Sequence, residues 1–452
     1  MRILHAIHDF LPRHPAGSEI YASELCKALE ALGHETHILC AEYDPSQTHG
    51  SLVWRFVDDT PVTELINNWS FENFEQTYRS KDITNTLGHA LDAVAPDILH
   101  IHNLFNLSFD LPKAAATRGI PSVATLHEFT LVCPSGGQRV HLAEEYVCHE
   151  IDPERCARCF RDSPFAMQMA AGTVGATAAP WLASIVGGLR KLAPRAVSGI
   201  GRVAARAASH TLSSTDIEKR LQAVVDVYDA VDLFIAPSPA LGRDFVRFGL
   251  PEDKLEVSDY GFPALIPTTQ RHDSPRLRIG FVGTLVWHKG AHIFMEAAAL
   301  LPRDRFEIHL FGSLDTFPAY VVNLRSAADG LPIEFHGGFD RNEVADVYGT
   351  MDVVVISSLW PENSPLVIHE AFMAGVPVVG SNMGGTVDLI EDGVNGLVYE
   401  ATSATDLARV LSRLIDEPRL LQDLRSCRTP VKTIEQDAQE WVERYRRILG
   451  GR

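Results

Sequence analysis

The sequence predicts an α/β protein built from two doubly wound parallel sheets. Three observations carry that expectation: the length of the chain, the alternation of short apolar strands with amphipathic helices, and the restart of that alternation after a proline-punctuated stretch past the middle. At 452 residues the chain is too long for one core, so two or three domains of ordinary size are expected. Its 46% hydrophobic and 22% charged residues match a folded globular protein and exclude disordered and fibrous classes. The net charge of −18, from 40 basic against 58 acidic residues, gives a surface field that repels nucleic acid. Any phosphate must therefore be held by local geometry. The opening MRILHAIHDFLPRHPAG enters a strand-like run with no charged leader ahead of a long apolar stretch, so no signal peptide and a cytoplasmic location are expected.

In the first half, Ile3 to Ile7 reads as a strand, followed by a turn that holds Pro12, Pro15 and Gly17. Ile20, Leu25, Ala28, Leu29 and Leu32 then recur at helical spacing until Gly33 stops the helix. Glu35 to Leu39 is the next strand, which completes a βαβ unit. Further strands are expected at Asp97 to His102, Ser122 to His127 and Leu233 to Ser238. The first two end in a histidine, at the carboxyl edge where open α/β sheets bind ligands. His100 and His102 share one face of their strand, and a structural role is expected for both. Phe262 to Pro275 reads as an interdomain linker. The strand and helix pattern then restarts, with strands at Arg278 to Gly283, Phe306 to Leu310, Ile333 to His336, Val353 to Ile356 and Val376 to Gly380. A last helix, Ile434 to Leu449, carries Trp441, Tyr445 and Ile448 on one face.

Two segments stand outside that alternation. Cys133, Cys148, Cys156 and Cys159 crowd together and end in a C-x-x-C, which in a reducing compartment favours a structural zinc site over disulfides; reduced thiols in a surface loop are the other reading. Cys26, Cys40 and Cys427 stand alone and read as core thiols. From Pro164 to Leu189 no residue is charged, and Arg190, Lys191, Arg195, Arg202 and Arg206 follow. Ala, Gly and Pro180 argue against a membrane span, leaving a helical insertion that either is buried or makes a peripheral contact with an anionic membrane surface.

The chemistry concentrates in Trp360-Pro361-Glu362-Asn363-Ser364-Pro365-Leu366-Val367-Ile368-His369-Glu370. A strand ends before it, Ser364-Pro365 opens a helix, and the unpaired amides of that helix face the sheet's carboxyl edge, where they can hold a diphosphate without a basic protein. Glu370, inside the helix, is placed for a ribose diol, and Glu362, ahead of it, for a transferred sugar. The plainer alternative is a solvated loop carboxylate at 362 and a helix-face charge at 370.

This run, with carboxylates eight residues apart, resembles the E-x7-E motif of retaining GT-B glycosyltransferases, the family of bacterial mannosyltransferases and glycogen synthases. The resemblance spans nearly the whole chain and is most specific from Gly280 to Leu397. It implies two Rossmann-like doubly wound domains facing across a cleft: residues 1–265 on the acceptor side, with a Cys-rich loop at 133–159 and the Ala/Gly-rich insertion at 164–210; residues 276–428 binding the nucleotide sugar; and a helix over 429–452 crossing back to the first domain. Gly283-Thr284-Leu285-Val286-Trp287-His288-Lys289-Gly290 resembles the family's glycine turn, with Lys289 for the donor phosphates; Thr284 stands where the family often has arginine. By the same resemblance, Asn363, Ser364, Pro365, Leu366 and Glu370 join Gly283, Thr284 and Lys289 in donor binding. Ser381 to Thr386 and Asp392 to Leu397 are similar to glycine-bearing loops near the ligand. In the first domain Gly17 falls in the family's small-residue loop, with Ala16 in place of one glycine, and His127 matches a strand-end histidine near the donor sugar.

What the resemblance implies chemically is a metal-independent retaining hexosyltransferase. It would move sugar from a nucleotide diphosphate to a saccharide or polyprenyl-linked saccharide in polysaccharide or glycoconjugate synthesis, at the inner face of the cytoplasmic membrane. Lys289 and the amides near Ser364 would stabilise the leaving phosphate, Glu362 would orient the sugar, and no catalytic cofactor is expected. A sugar-nucleotide epimerase shares the architecture, but no acid/base pair for it is evident. A non-catalytic GT-B partner subunit is the third reading, suggested by Thr284.

Overall fold

The computed structural model describes residues 1–141, 143–163, 165, 166, 169, 212–265 and 274–451. The expected insertion over 164–210, with its basic run, lies outside the described residues except at 165, 166 and 169, and so does the 266–273 part of the expected linker. Among the described residues no helix is long and apolar enough to cross a membrane.

The chain forms two compact units. The first comprises Met1–Ala236, Asp244–Ser258 and Asp437–Arg452. Its sheet contains β1 (Arg2–Ala6), β2 (Glu35–Glu42), β3 (Leu52–Val57), β4 (Thr60–Ile66), β5 (Ile98–Ile101), β6 (Ser122–Thr125), β9 (Leu233–Ala236) and β10 (Leu255–Val257), while β7 (Val140–His141) and β8 (Tyr146–Val147) make a separate small hairpin. The spatial order is β10-β9-β6-β5-β1-β2-β4-β3, parallel except for β3 against β4. The expected βαβ unit is there: the helix Gly17–Ala31 buries Tyr21, Ala22, Leu25, Cys26 and Leu29, and Gly33 takes the left-handed φ of 82° that ends it. Absent from the sequence expectation was the β3–β4 hairpin. Its two-residue turn, Asp58-Asp59, lacks glycine, and Asp58 supplies the positive φ of 51° itself.

The second unit comprises Pro237–Arg243 and Asp259–Gln436. Its six strands, β11 (Leu277–Val282), β12 (Phe306–Phe311), β13 (Ile333–Gly337), β14 (Val353–Ile356), β15 (Val378–Ser381) and β16 (Gly396–Tyr399), run all parallel in the order β13-β12-β11-β14-β15-β16. Helices cover both faces of this sheet over buried apolar clusters, and its inner strand β14 reads as a continuous apolar run. β11 has its successor β12 on one side and β14 on the other, so the strand order reverses between β11 and β14. Loops leaving those two strands occupy the position where such sheets bind ligands. The Asp392 to Leu397 stretch is only partly a loop, because Gly396 and Leu397 enter β16.

The units do not divide the chain at residue 265. Asp259–Leu265 belongs to the second unit, where Phe262 bridges Thr433 and its N–H donates to the Lys432 carbonyl at 2.9 Å. Pro237–Arg243 belongs there too, with the Ala240 N–H on Asp388 Oδ2 at 2.7 Å. The last helix, Ile434–Gly450, lies in the first unit from Asp437 onward. Trp441 and Tyr445 are fully buried there, and Ile448 is half-buried. Cys26 and Cys40 are buried as expected, but Cys427 is only partly buried, since it follows the C-terminus of the short helix Pro418–Ser426.

Candidate active site

In the second unit the chain leaving β11 turns at Gly283, whose φ of 147° is one that side chains rarely adopt, and leaves Thr284 exposed. It then makes a single helical turn, Trp287–Lys289, closed by Gly290 at φ 70°. Contacts with the chain leaving β14 fix that turn: the Leu359 N–H donates to the His288 carbonyl at 2.8 Å and the Ser357 hydroxyl to the Lys289 carbonyl at 3.1 Å. A Cβ at Gly290 would stand 1.8 Å from the Ser357 carbonyl oxygen, so only glycine allows this approach.

The consequence is that Lys289 Nζ lies 2.5 Å from Glu362 Oε1, with the ammonium 5.4 Å from the centre of the Trp360 ring. Glu362 Oε1 also accepts from the Ser358 hydroxyl at 2.5 Å. Glu362 is 7% exposed, so the carboxylate end of this pair is desolvated and its hydrogen bond is fixed. A solvated loop carboxylate at 362 is thereby ruled out. His288, next to it, is held down to about 4 by burial and then by the Lys289 charge, so it is neutral at physiological pH.

Asn363, Ser364 and Pro365 are buried in the loop ahead of the helix Leu366–Met373, whose N-cap is Pro365, so the helix opens one to two residues later than the sequence suggested. Its first amides, at Leu366 and Val367, are those a helix start leaves without intrahelical acceptors. The Ser364 side chain is committed elsewhere: its hydroxyl donates to Asp259 Oδ1 at 2.7 Å and lies 2.9 Å from His369 Nε2. Ser364 therefore positions the loop, and its backbone rather than its hydroxyl is what a ligand could use. Glu370 is half-buried and accepts from the Tyr348 hydroxyl at 2.8 Å through Oε2, and burial raises its carboxyl above the usual range. Gly384 and Gly385, at the start of the helix Gly384–Leu389, press on the same loop. The Gly385 N–H donates to the Glu362 carbonyl at 2.6 Å, and a Cβ at 385 would stand 1.8 Å from the Asn363 carbonyl oxygen.

The first unit brings different groups to its own carboxyl edge. His5, His102 and His127 form a chain of rings, His5 Nδ1 to His102 Nε2 at 3.0 Å and His102 Nδ1 to His127 Nε2 at 2.9 Å. His100 stacks on His102 at 4.2 Å and bonds the Tyr445 hydroxyl at 2.6 Å and the Thr125 hydroxyl at 2.8 Å. His100 and His102 are thus buried structural groups. Burial holds His5 and His127 down to about 3 and His100 and His102 well below the ordinary histidine value. His127 is therefore a neutral hydrogen-bonding ring at physiological pH, not a cation. Gly17 begins its helix, but Glu19 in that first turn is buried, with Oε1 3.4 Å from His8 Nε2. Its carboxylate sits where the helix start would attract an anion, so of the two helix starts the Leu366 one is the better phosphate site. The first unit also holds a cavity of about 270 Å³, lined among others by His8, Asp9, Glu42, Trp69, Phe105 and Glu128.

The four clustered cysteines are free thiols, each partly buried. They belong to the first unit, away in sequence from every group named above except the strand end at His127.

Comparison with known proteins agrees with both halves of this picture. The family described as Glycosyltransferase Family 4 matches residues 15–152, and the family described as Glycosyl transferases group 1 matches residues 266–427. The chain belongs to the GT-B glycosyltransferases. Among its relatives, the D-inositol 3-phosphate glycosyltransferase of Arthrobacter sp. (strain FB24) is 28% identical over 214 residues, 44% of this chain and 51% of the relative. The N,N'-diacetylbacillosaminyl-diphospho-undecaprenol alpha-1,3-N-acetylgalactosaminyltransferase of Campylobacter jejuni is 28% identical over 164 residues, 36% of this chain and 40% of the relative. The chain spans about half the length of the curated relatives it matches. The structure of Anabaena Alr3699/HepE in complex with UDP-glucose superposes with a TM-score of 0.61 at 18% identity, covering 98% of this chain and 100% of that one. Sucrose-phosphate synthase (tll1590) from Thermosynechococcus elongatus does so with a TM-score of 0.62 at 16% identity, covering 100% of both. At these identities the likeness is one of fold.

Several groups of this GT-B protein were not evident from its sequence. Ser358 and Asp259 had no motif of their own, although Ser358 stands four residues before Glu362 in the loop leaving β14. The neutral histidines have a measurable consequence. Their folded values lie below the unfolded value near 6.5, so the unfolded chain binds protons that the folded chain refuses. The stability they confer is complete above pH ~6.5 and is lost progressively as pH falls toward the folded values. The urea midpoint should therefore fall between pH 7 and 5, ahead of carboxylate titration, and less steeply in His100→Asn; a flat profile would contradict the assignment.

Proposed function

We propose that this protein is a retaining, metal-independent glycosyltransferase whose second unit binds a nucleotide-diphosphate sugar and whose first unit supplies acceptor contacts. The observation that carries the reading is the Lys289–Glu362 pair, set beside the start of the helix Leu366–Met373 at the strand-order reversal of its sheet. In this mechanism the Leu366 and Val367 amides and the Lys289 ammonium hold the diphosphate. As the nucleotide departs, Lys289 shifts its charge from Glu362 to the leaving phosphate, where negative charge is growing. Glu362, freed from part of that pairing, hydrogen-bonds the sugar, Glu370 takes the ribose diol through the oxygen that Tyr348 leaves, and Gly283 lets the backbone approach the ligand.

No carboxylate is assigned as nucleophile, so the acceptor hydroxyl attacks the face the phosphate leaves, and that phosphate accepts its proton. His127, being neutral, contributes a hydrogen bond to the sugar rather than charge. The acceptor is proposed to be a saccharide or polyprenyl-linked saccharide, by likeness to the Campylobacter relative, whose name places it on a diphospho-undecaprenol-linked sugar. The first-unit cavity suits sugar hydroxyls, with carboxylates Asp9, Glu42 and Glu128 to accept from them and Trp69 and Phe105 as apolar faces. Action at the cytoplasmic face of a membrane, in polysaccharide or glycoconjugate synthesis, is part of the same proposal.

The test is incubation with radiolabelled nucleotide sugars and candidate acceptors, with and without EDTA, followed by NMR of the product's anomeric proton. Transfer with the donor's anomeric configuration, unchanged by EDTA, is expected. Interconversion of the donor without an acceptor would mark an epimerase, binding without turnover a non-catalytic subunit, and inversion or EDTA sensitivity would overturn the mechanism.

A further inference from the structure

Between β6 and the helix Ser214–Ala230, the described residues of the first unit include a hairpin of two-residue strands, β7 and β8, and the helix Pro153–Asp162. Val140, Ala157 and Phe160 are the buried apolar groups of that hairpin and helix. Small elements of this kind need a further staple, such as a disulfide or a structural metal. Four of the chain's seven cysteines fall in this segment, and all are free thiols.

The fold collects them. Cys156 and Cys159 stand three apart on the helix Pro153–Asp162 and so share one of its faces. That face meets the hairpin, since the Cys159 thiol reaches the Val140 carbonyl at 3.9 Å and the Arg155 guanidinium lies 4.2 Å from the centre of the Tyr146 ring. Cys148 follows β8, with its N–H on the Arg139 carbonyl at 2.7 Å, and Cys133 closes the turn after β6, with its N–H on the Phe129 carbonyl at 2.7 Å.

A second observation is independent of the thiols' spacing. Arg220 is 4% exposed, donates to the Leu131 carbonyl at 2.6 Å and the Thr130 carbonyl at 2.5 Å, and has no carboxylate partner among the described residues. A buried guanidinium with only neutral partners is costly. Its anionisable neighbours include Cys133 and Cys156. Arg139, also 4% exposed, has Asp244 at 2.9 Å and, in addition, Cys148 and Cys133 nearby. Of these two buried cations Arg220 alone lacks a carboxylate among the described residues, and it is bonded to the carbonyls two and three residues ahead of Cys133.

We propose that Cys133, Cys148, Cys156 and Cys159 hold one zinc ion as a structural tetrathiolate site, whose net charge of two negatives Arg220 and Arg139 offset. Each cysteine gives up its thiol proton to solvent as its sulfur binds the metal, and no redox change is involved. No three of these sulfurs lie within 4.8 Å of one another, a spacing that among the described residues histidine-containing trios reach. Zinc would thus draw the hairpin and the helix Pro153–Asp162 together, coupling metal binding to the ordering of this excursion. With four thiolates the ion has no open position, so its role is separate from sugar transfer and the proposal stands whether or not the chain transfers sugar.

The experiment uses the full chain, purified without a histidine tag or chelator, with zinc measured by plasma mass spectrometry. About one zinc per chain is expected, released when a mercurial titrates the thiols of the native protein. Cobalt in its place should give the visible bands of a tetrahedral thiolate complex. In Cys156→Ser/Cys159→Ser the zinc should fall to under ~0.2 per chain, with a lower melting temperature. Because that variant may misfold, the mercurial release and the cobalt spectrum are read on the unaltered chain. Three results would overturn the proposal: no zinc after incubation with excess zinc and dialysis, a disulfide among these cysteines in the intact mass, or full zinc retention in the double variant, which would place the metal elsewhere, as on His309, Glu334 and His336.

Discussion

Lys289→Met is expected to lower kcat by about 10²- to 10³-fold, the usual loss when one preorganised charge that stabilises a leaving anion is removed. Lys289 is the basic side chain that the loop leaving β11 brings to Glu362, at 2.5 Å. Its surroundings fix it in advance: the turn Trp287–Lys289 is bonded to the chain leaving β14, and Gly290 permits that approach. Because the charge acts on the departing phosphate more than on the bound donor, KM should change far less than kcat. Folding should survive, since the Lys289 side chain is 28% exposed and Glu362 keeps its bond from Ser358. Glu362→Gln tests the other partner and should also abolish most transfer, because a neutral amide lacks the charge that pairs with the ammonium. Steady-state kinetics with the nucleotide sugar that the protein turns over decide both; near-normal kcat in either variant would remove that residue from the mechanism.

Gly385→Ala should act through shape alone. The added Cβ would stand 1.8 Å from the Asn363 carbonyl oxygen and 3.0 Å from the Ser238 hydroxyl, and the first of these contacts is backbone and cannot rotate away. Either the start of the helix Gly384–Leu389 or the 361–363 loop must move, breaking the Gly385 N–H bond to the Glu362 carbonyl. Overpacking of this kind costs about 1–3 kcal/mol, and the loop that moves is the one leading into the proposed phosphate-binding amides. Thermal unfolding and donor titration should both respond, with a lower melting temperature and donor affinity reduced by at least ~10-fold. Alanine at the exposed Gly338, where a Cβ meets nothing within 4 Å, serves as the control and should change neither.

Much of the fold was legible because parallel strands buried on both faces are short apolar runs that stand out from the helices between them. Val353–Ile356 is such a run, and its strand has the bounds its sequence implied. The β3–β4 hairpin was not legible. Its turn lacks glycine, and exposed Trp54 and Phe56 on the edge strand blur the alternation that marks a half-buried strand. The domain boundary escaped for another reason: Pro237–Arg243 is held in the second unit by a long-range bond to Asp388, which no local pattern encodes.

At the site, Lys289 and Glu362 could each be picked out from local sequence, but their pairing depends on β11 and β14 lying side by side, a property of topology. The same holds for the histidines. Their positions at strand ends were visible, whereas the chain of rings joining β1, β5 and the end of β6 arises only when those strands align. Ser364 shows the converse case. Its place before the helix suggested a ligand contact, and only the return of Asp259 and the i+5 neighbour His369 reveal that its hydroxyl is spent inside the protein.

The central claim is that the start of the helix Leu366–Met373, together with Lys289, grips a nucleoside diphosphate. Hydrogen exchange at the amides of residues 362–370, followed with a panel of nucleoside diphosphates, monophosphates and nucleosides in EDTA, tests it directly. Slowed exchange at Leu366 and Val367 with one diphosphate, weaker with its monophosphate and lost in Lys289→Met, is the predicted result. Protection confined to another part of the chain, or no protection by any diphosphate, would contradict it.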